Sequence, residues 1–146
     1  MTKGIVISLY DFTGEALKPW AEAGYTCYAF DIQHEGWKIE GFGRDCGGSI
    51  HYRKADLHDH ETLNAIQDEF ADKPVVFGMA FPVCTDMAVS GAAHFKRKAE
   101  KDPDFQTKAV NYAIWSAKLF NSMYIPYFIE NPVSVLATKW RKPDYN

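Results

Sequence analysis

Hydrophobic residues along this chain cluster in short runs separated by segments of helical period. Gly4-Ile5-Val6-Ile7-Ser8-Leu9-Tyr10 is apolar and β-branched and predicts a central parallel strand. Asp11-Phe12-Thr13-Gly14 is the turn after it. Glu15 to Ala23 reads as a helix ending at Gly24, with Pro19 limiting or kinking its first turns. Tyr25 to Phe30 is a second strand with Asp31 at its carboxyl end. Gly36, Gly41, Gly43, Gly47 and Gly48 make the stretch from Gln33 to Ser49 a loop by expectation. Ser49 to Lys54 is a weaker third strand, followed by Ala55-Asp56-Leu57. His60 to Ala71 carries Leu63, Ile66 and Phe70 on one face, as an amphipathic helix does.

The second half repeats the pattern. Val75-Val76-Phe77-Gly78-Met79-Ala80 is a buried strand that runs into the corner Phe81-Pro82-Val83-Cys84. Asp86 through Pro103 reads as a loop containing Ser90-Gly91 and the basic run Lys96-Arg97-Lys98. Phe105 to Ser122 is a helix with Ala109, Ala113, Ala117 and Phe120 at helical spacing. Tyr124 to Ile129 is a fifth strand, ending at Glu130-Asn131-Pro132, and Val133 to Trp140 reads as a last short helix. Strands alternating with crossovers of this length predict an α/β fold, an open, doubly wound, mostly parallel sheet of Rossmann-like type. No repeat or linker divides it, so residues 1–146 are expected to form one domain.

Such sheets bind ligands beyond the carboxyl ends of their strands, where strand order reverses. Asp11, Asp31, Asp56, Cys84 and Glu130 all fall at or just past such ends. Asp11-Phe12-Thr13-Gly14 opens a helix, where glycine permits close approach and the helix start favours negative charge; its plain structural reading is a simple turn. Asp31 suits the hydroxyls of a ribose and Asp56 an exocyclic amine, though each alone also reads as a loop or cap residue. Together with the glycine turn they outline an adenosine pocket. Cys84 reads either as a small buried hydrophobe or as a nucleophile held in a fixed corner. Glu130 follows four apolar or aromatic residues, and desolvation there would suit a proton donor; a capping or salt-bridged glutamate is the alternative.

Composition narrows this only a little. The formal net charge is −3, which does not advertise a nucleic-acid binder, and 47% hydrophobic content is ordinary for a globular domain. Cys27, Cys46 and Cys84 are odd in number and irregularly spaced, which argues for a reducing compartment rather than a disulfide framework. No secretory leader is evident at Met1, and no apolar run is long enough to span a bilayer. A cytoplasmic location is expected. His51, His58 and His60 with Cys46 fit no zinc spacing. Lys96-Arg97-Lys98 and Lys139-Trp140-Arg141-Lys142 are basic runs that suit phosphate contact or a solvated face.

Over Ser8 to Asn131, and on toward Trp140, the chain resembles the catalytic half of the C5-cytosine DNA methyltransferases, especially short phage-type members. Tyr10-Asp11-Phe12-Thr13-Gly14 is similar to that family's cofactor-binding motif, Pro82-Val83-Cys84 to its nucleophile loop, and Glu130-Asn131 to its Glu-Asn pair. The resemblance implies S-adenosyl-L-methionine as cofactor, held by Tyr10, Asp11, Thr13, Gly14, Asp31, Asp56 and Pro82, with Cys84 and Glu130 catalytic. It implies DNA as partner, in a bacterial or phage-infected cell, with cytosine flipped from the duplex. Cys84 thiolate would attack C6 and Glu130 would protonate N3. Val83 and Thr85 depart from the family's Pro and Gln around the cysteine, and Phe12 and Glu15 stand where glycines are common. The family's later Arg-x-Arg segment and target-recognition region have no counterpart after the fifth strand, where the fold is expected to be truncated. A missing carboxyl-terminal region or a partner chain would supply them. A catalytically inactive module binding S-adenosylmethionine or S-adenosylhomocysteine, or an enzyme acting on a free nucleotide, are the alternative readings.

Overall fold

The computed structural model describes residues 3–42, 47–82 and 105–130, and of 105–109 the backbone alone. Its element order is β1 (Ile5–Leu9), a 3-10 turn (Glu15–Leu17), α1 (Lys18–Glu22), β2 (Thr26–Asp31), β3 (Trp37–Gly41), β4 (Ser49–Lys54), α2 (His60–Glu69), β5 (Val75–Ala80), α3 (Phe105–Ser122) and β6 (Tyr127–Ile129). The six strands form one sheet in the order β3-β4-β2-β1-β5-β6. All neighbours pair parallel except β3 and β4, which pair antiparallel. The five parallel strands, counted along the chain, therefore lie in the order 3-2-1-4-5. Strand order reverses at β1, and the switch point is the seam between β1 and β5.

β1 is central and buried at all five positions, as a strand covered on both faces must be. Alternate residues face opposite ways. Val6, with Cys27, Ala29, Ile50 and Met79, packs under Leu17 and Ala21 of the α1 layer. Ile5, Ile7 and Leu9 face the other way, toward Leu63 and Ile66 of α2 and Leu119 and Phe120 of α3. Phe120 lies so close to β5 that a Cβ on Gly78 would come within 2.5 Å of its ring.

Two expectations from the sequence are corrected here. The helix expected over Glu15–Ala23 is divided: a 3-10 turn precedes α1, and Pro19 sits in the first turn of α1, where its missing N–H costs nothing. The helix ends at Gly24 as expected, with φ of 105°. The segment from Gln33 to Ser49 is not all loop. Trp37–Gly41 forms the antiparallel edge strand, and its apolar and charged residues alternate. Gly36 precedes this strand, Gly41 is its last residue, and Gly48 leads into β4. The expected short helix over 133–140, the loop over 86–103 and the basic runs at 96–98 and 139–142 lie outside the described residues.

Candidate functional site

β1, β2, β4 and β5 all deliver their carboxyl ends to the same edge of the sheet, and a pocket of about 460 Å³ opens there. Tyr10 and Phe12 come from the end of β1, Asp31 and Ile32 from β2, Asp56, Leu57 and His58 from β4, and Phe81 from β5. The pocket thus gathers three of the residues singled out in the sequence, Tyr10, Asp31 and Asp56. Asp31 Oδ1 accepts the backbone N–H of Gln33 at 2.8 Å, and Asp56 Oδ1 accepts that of His58 at 3.1 Å. Each is an Asx-type turn that fixes the carboxylate where it lines the pocket. Ile32 is 55% exposed and Phe12 51%, an unusual display of apolar surface beside two acids.

Tyr10 is held in the left-handed region at φ 57°, which turns its ring away from the strand direction and into the site. Burial holds the Tyr10 phenol well above its ordinary range, reinforced by Tyr112 and by the carboxylates of Asp56 and Asp31. The phenol is a hydrogen-bond donor throughout the physiological range. His58 stacks on Tyr112 of α3, with ring centroids 3.6 Å apart and planes within 6° of parallel, and Tyr10 leans on both. Burial lowers the His58 pKa, partly opposed by Asp56, so the imidazole is favoured in its neutral form.

Asp11 acts differently from Asp31 and Asp56. It is only 6% exposed. Its Oδ2 accepts the Ser8 hydroxyl at 2.7 Å and its Oδ1 accepts the Gly14 N–H at 2.8 Å. The carboxylate ties the end of β1 to the start of the next helical segment. The Asp11 carbonyl oxygen also lies 3.1 Å from His34 Nε2. Gly14 adopts φ 71°, and a Cβ there would stand 2.8 Å from the Tyr52 ring. That glycine is demanded by Tyr52 as well as by the turn. Thr13 is exposed, accepts the Glu15 N–H at 3.3 Å, and lines a second, wider concavity beside Trp37, Lys38 and Tyr52. Pro82 is fully buried beyond the end of β5.

Glu130 follows β6 directly. Its backbone N–H donates to Ala80 O at 2.9 Å, which fixes it beside the end of β5, where Phe81 N–H in turn bonds Leu9 O at 3.0 Å. The glutamate is therefore half-buried one strand away from the segment that carries Phe81 and Pro82. Cys84, Asn131 and Ser90-Gly91 lie outside the described residues. Among the described residues no group of three metal-ligating side chains converges, and no helix is long and apolar enough to cross a membrane. Phe12, Ile32, Leu57, His58 and Phe81 were missed as site residues. The exposed Ile32 directly after Asp31 was readable once that acid had been picked out. The His58–Tyr112 stack joins residues far apart in sequence and was not.

No protein-family model matches this chain, and no curated protein matches it. Among solved structures it is similar to one titled as a short chain dehydrogenase family protein from Francisella tularensis subsp. tularensis SCHU S4, with a TM-score of 0.50 and 12% identity. The match covers 87% of this chain and 50% of the other, so this chain spans about half the length of its structural neighbour. At that identity the likeness concerns the Rossmann-like fold.

Proposed function

We propose that this chain is the catalytic portion of a DNA cytosine C5 methyltransferase dependent on S-adenosylmethionine. The observation that carries the reading is the convergence of Asp31 and Asp56 in one pocket at the switch point, with Glu130 anchored to the next strand end. The pocket's chemistry fits an adenosine. Asp31 accepts from ribose hydroxyls, Asp56 accepts from the exocyclic amine, and Ile32 and Phe12 offer exposed apolar surface to the purine. When bound, S-adenosylmethionine supplies the methyl group. Cys84, two residues after Pro82, adds as thiolate to C6 of a flipped cytosine. Glu130 gives a proton to N3 and so draws off the electron pair that the attack pushes into the ring. C5 would become an enamine carbon and take the methyl as S-adenosylhomocysteine leaves; loss of the C5 proton would then expel the thiolate, and N3 would return its proton to Glu130, restoring the neutral ring.

A dinucleotide is the second ligand this pocket would suit, and the neighbour titled as a dehydrogenase favours weighing it. The turn after β1 argues against it. A pyrophosphate is cradled by several closely spaced glycines, whereas Asp11-Phe12-Thr13-Gly14 has one, and that one is packed on Tyr52. Calorimetric titration with S-adenosylmethionine and with NAD separates the two, since only the first is expected to bind. Duplex DNA carrying 5-fluorocytosine is expected to form a covalent adduct in the presence of S-adenosylmethionine, and Cys84→Ala is expected to abolish it. Binding of the cofactor without an adduct on any DNA would point to a non-catalytic binding module. Binding of neither ligand overturns the reading.

A further inference from the structure

β3 is the open edge of the sheet: among the described residues no strand lies on its outer side. It is also unusually apolar for such an edge, with Trp37 60% and Ile39 59% exposed. We propose that this edge pairs with the same edge of a second copy of the chain, antiparallel and centred on Ile39, joining two sheets into one.

The hydrogen-bonding direction of β3 comes first. In its pairing with β4, Lys54 N–H donates to Gly36 O at 2.8 Å and Phe42 N–H donates to Gly48 O at 2.9 Å. Gly36 and Phe42 thus point their backbone groups inward, toward β4. Antiparallel pairing alternates, so the even-numbered residues between them, Lys38 and Glu40, also face β4. The N–H and C=O groups of Trp37, Ile39 and Gly41 point outward. A partner strand must therefore set odd residues against odd.

Charge then selects the register. Centred on Ile39, Ile39 faces its own copy, Trp37 faces Gly41, and Lys38 faces Glu40 twice over. Shifting the centre to Lys38 opposes two lysines, and shifting it to Glu40 opposes two glutamates. Like charges directly opposite each other are unfavourable and opposite charges are favourable. Of these three registers only the one centred on Ile39 satisfies both the backbone and the charges. It also serves both faces of the seam. Lys38 and Glu40 lie with Tyr52, whose hydroxyl donates to Glu40 Oε1 at 2.7 Å, on the α1 face. Trp37 and Ile39 lie on the other face, where Trp37 Nε1 donates to His51 Nδ1 at 3.0 Å and the Arg53 guanidinium stands 4.5 Å from the centre of the indole. In this register each Trp37 is the diagonal neighbour of the other copy's Ile39, so four large apolar side chains meet across the two-fold axis.

Sedimentation equilibrium on the full chain tests this. The chain is expected to show a concentration-dependent monomer–dimer equilibrium. Lys38→Glu and Glu40→Lys, each of which sets like charges opposite each other, should each weaken the dimer about tenfold or more. The doubly exchanged Lys38→Glu/Glu40→Lys chain should recover it, with circular dichroism confirming the fold of all three. Amide exchange gives a readout on the unaltered chain: Trp37, Ile39 and Gly41 amides should slow as concentration rises, while those of Lys38 and Glu40 should not change. A chain that stays monomeric at all concentrations, single variants that dimerise like the parent, or a double variant that fails to regain the dimer would each overturn the proposal.

Discussion

A carboxylate that is fully used inside the protein and one that faces a pocket predict opposite outcomes when removed. Asp11→Ala strands the Ser8 hydroxyl and the Gly14 N–H in a buried setting and is expected to cost about 2–3 kcal/mol of stability, read from urea midpoints. Asp31→Ala and Asp56→Ala should leave the midpoint nearly unchanged and weaken S-adenosylmethionine binding about tenfold or more by calorimetry. Equal effects of all three on binding alone would contradict the role given to Asp11. Gly14→Ala puts a side chain at φ 71° and against Tyr52, an expected loss of about 1–2 kcal/mol. Gly78→Ala pushes a methyl into the buried Phe120 ring and should cost about 1–3 kcal/mol, since that ring has nowhere to move.

β4 and its continuation carry two histidines whose environments favour the neutral ring. Burial lowers the pKa of His51, with help from Arg53, and burial also lowers that of His58 against the opposing pull of Asp56. The unfolded chain binds these protons near the ordinary value of 6.5, whereas the folded chain resists them until a lower pH. Their contribution to stability is thus present above about 6.5 and is lost as pH falls below it. Urea midpoints measured from pH 7.5 to 5 should decline, and His58→Phe, which keeps the stack on Tyr112, should flatten part of that slope. A slope unchanged in His58→Phe would mean the ring titrates alike in both states. The elements are unevenly legible in the sequence. The five parallel strands were legible because β-branched runs such as Ile5-Val6-Ile7 have no other comfortable home. β3 was hidden by the glycines on either side of it, although Trp37-Lys38-Ile39-Glu40 alternates as a strand should. The 3-10 turn before α1 was not legible, because the Asp11–Gly14 bond and the Tyr52 ring that shape this corner are tertiary.

At the scale of the whole molecule, the sheet order explains why acids scattered over the sequence act together. Asp31 and Asp56 end neighbouring strands, β2 and β4, and alternation of strand and helix was enough to foresee them on one edge. What could not be foreseen was which acid turns inward. Asp11, Asp31 and Asp56 look alike as acids following a strand, and only the Ser8 hydroxyl beneath Asp11 distinguishes it. The aromatic wall of Tyr10, His58 and Tyr112 was equally hidden, because α3 reaches it only after the chain has folded over the sheet.

The central position of β1 has a consequence for how this chain is made. Its partner on one side, β2, leaves the ribosome soon after it, but its partner on the other side, β5, is not synthesised until α2 is complete. During that interval the nascent polypeptide holds a bare Ile5–Leu9 margin, apolar except for Ser8, that any neighbouring strand could usurp. A stalled fragment ending before Val75 should therefore clump or recruit a chaperone, and adding residues only as far as Ala80 should relieve it.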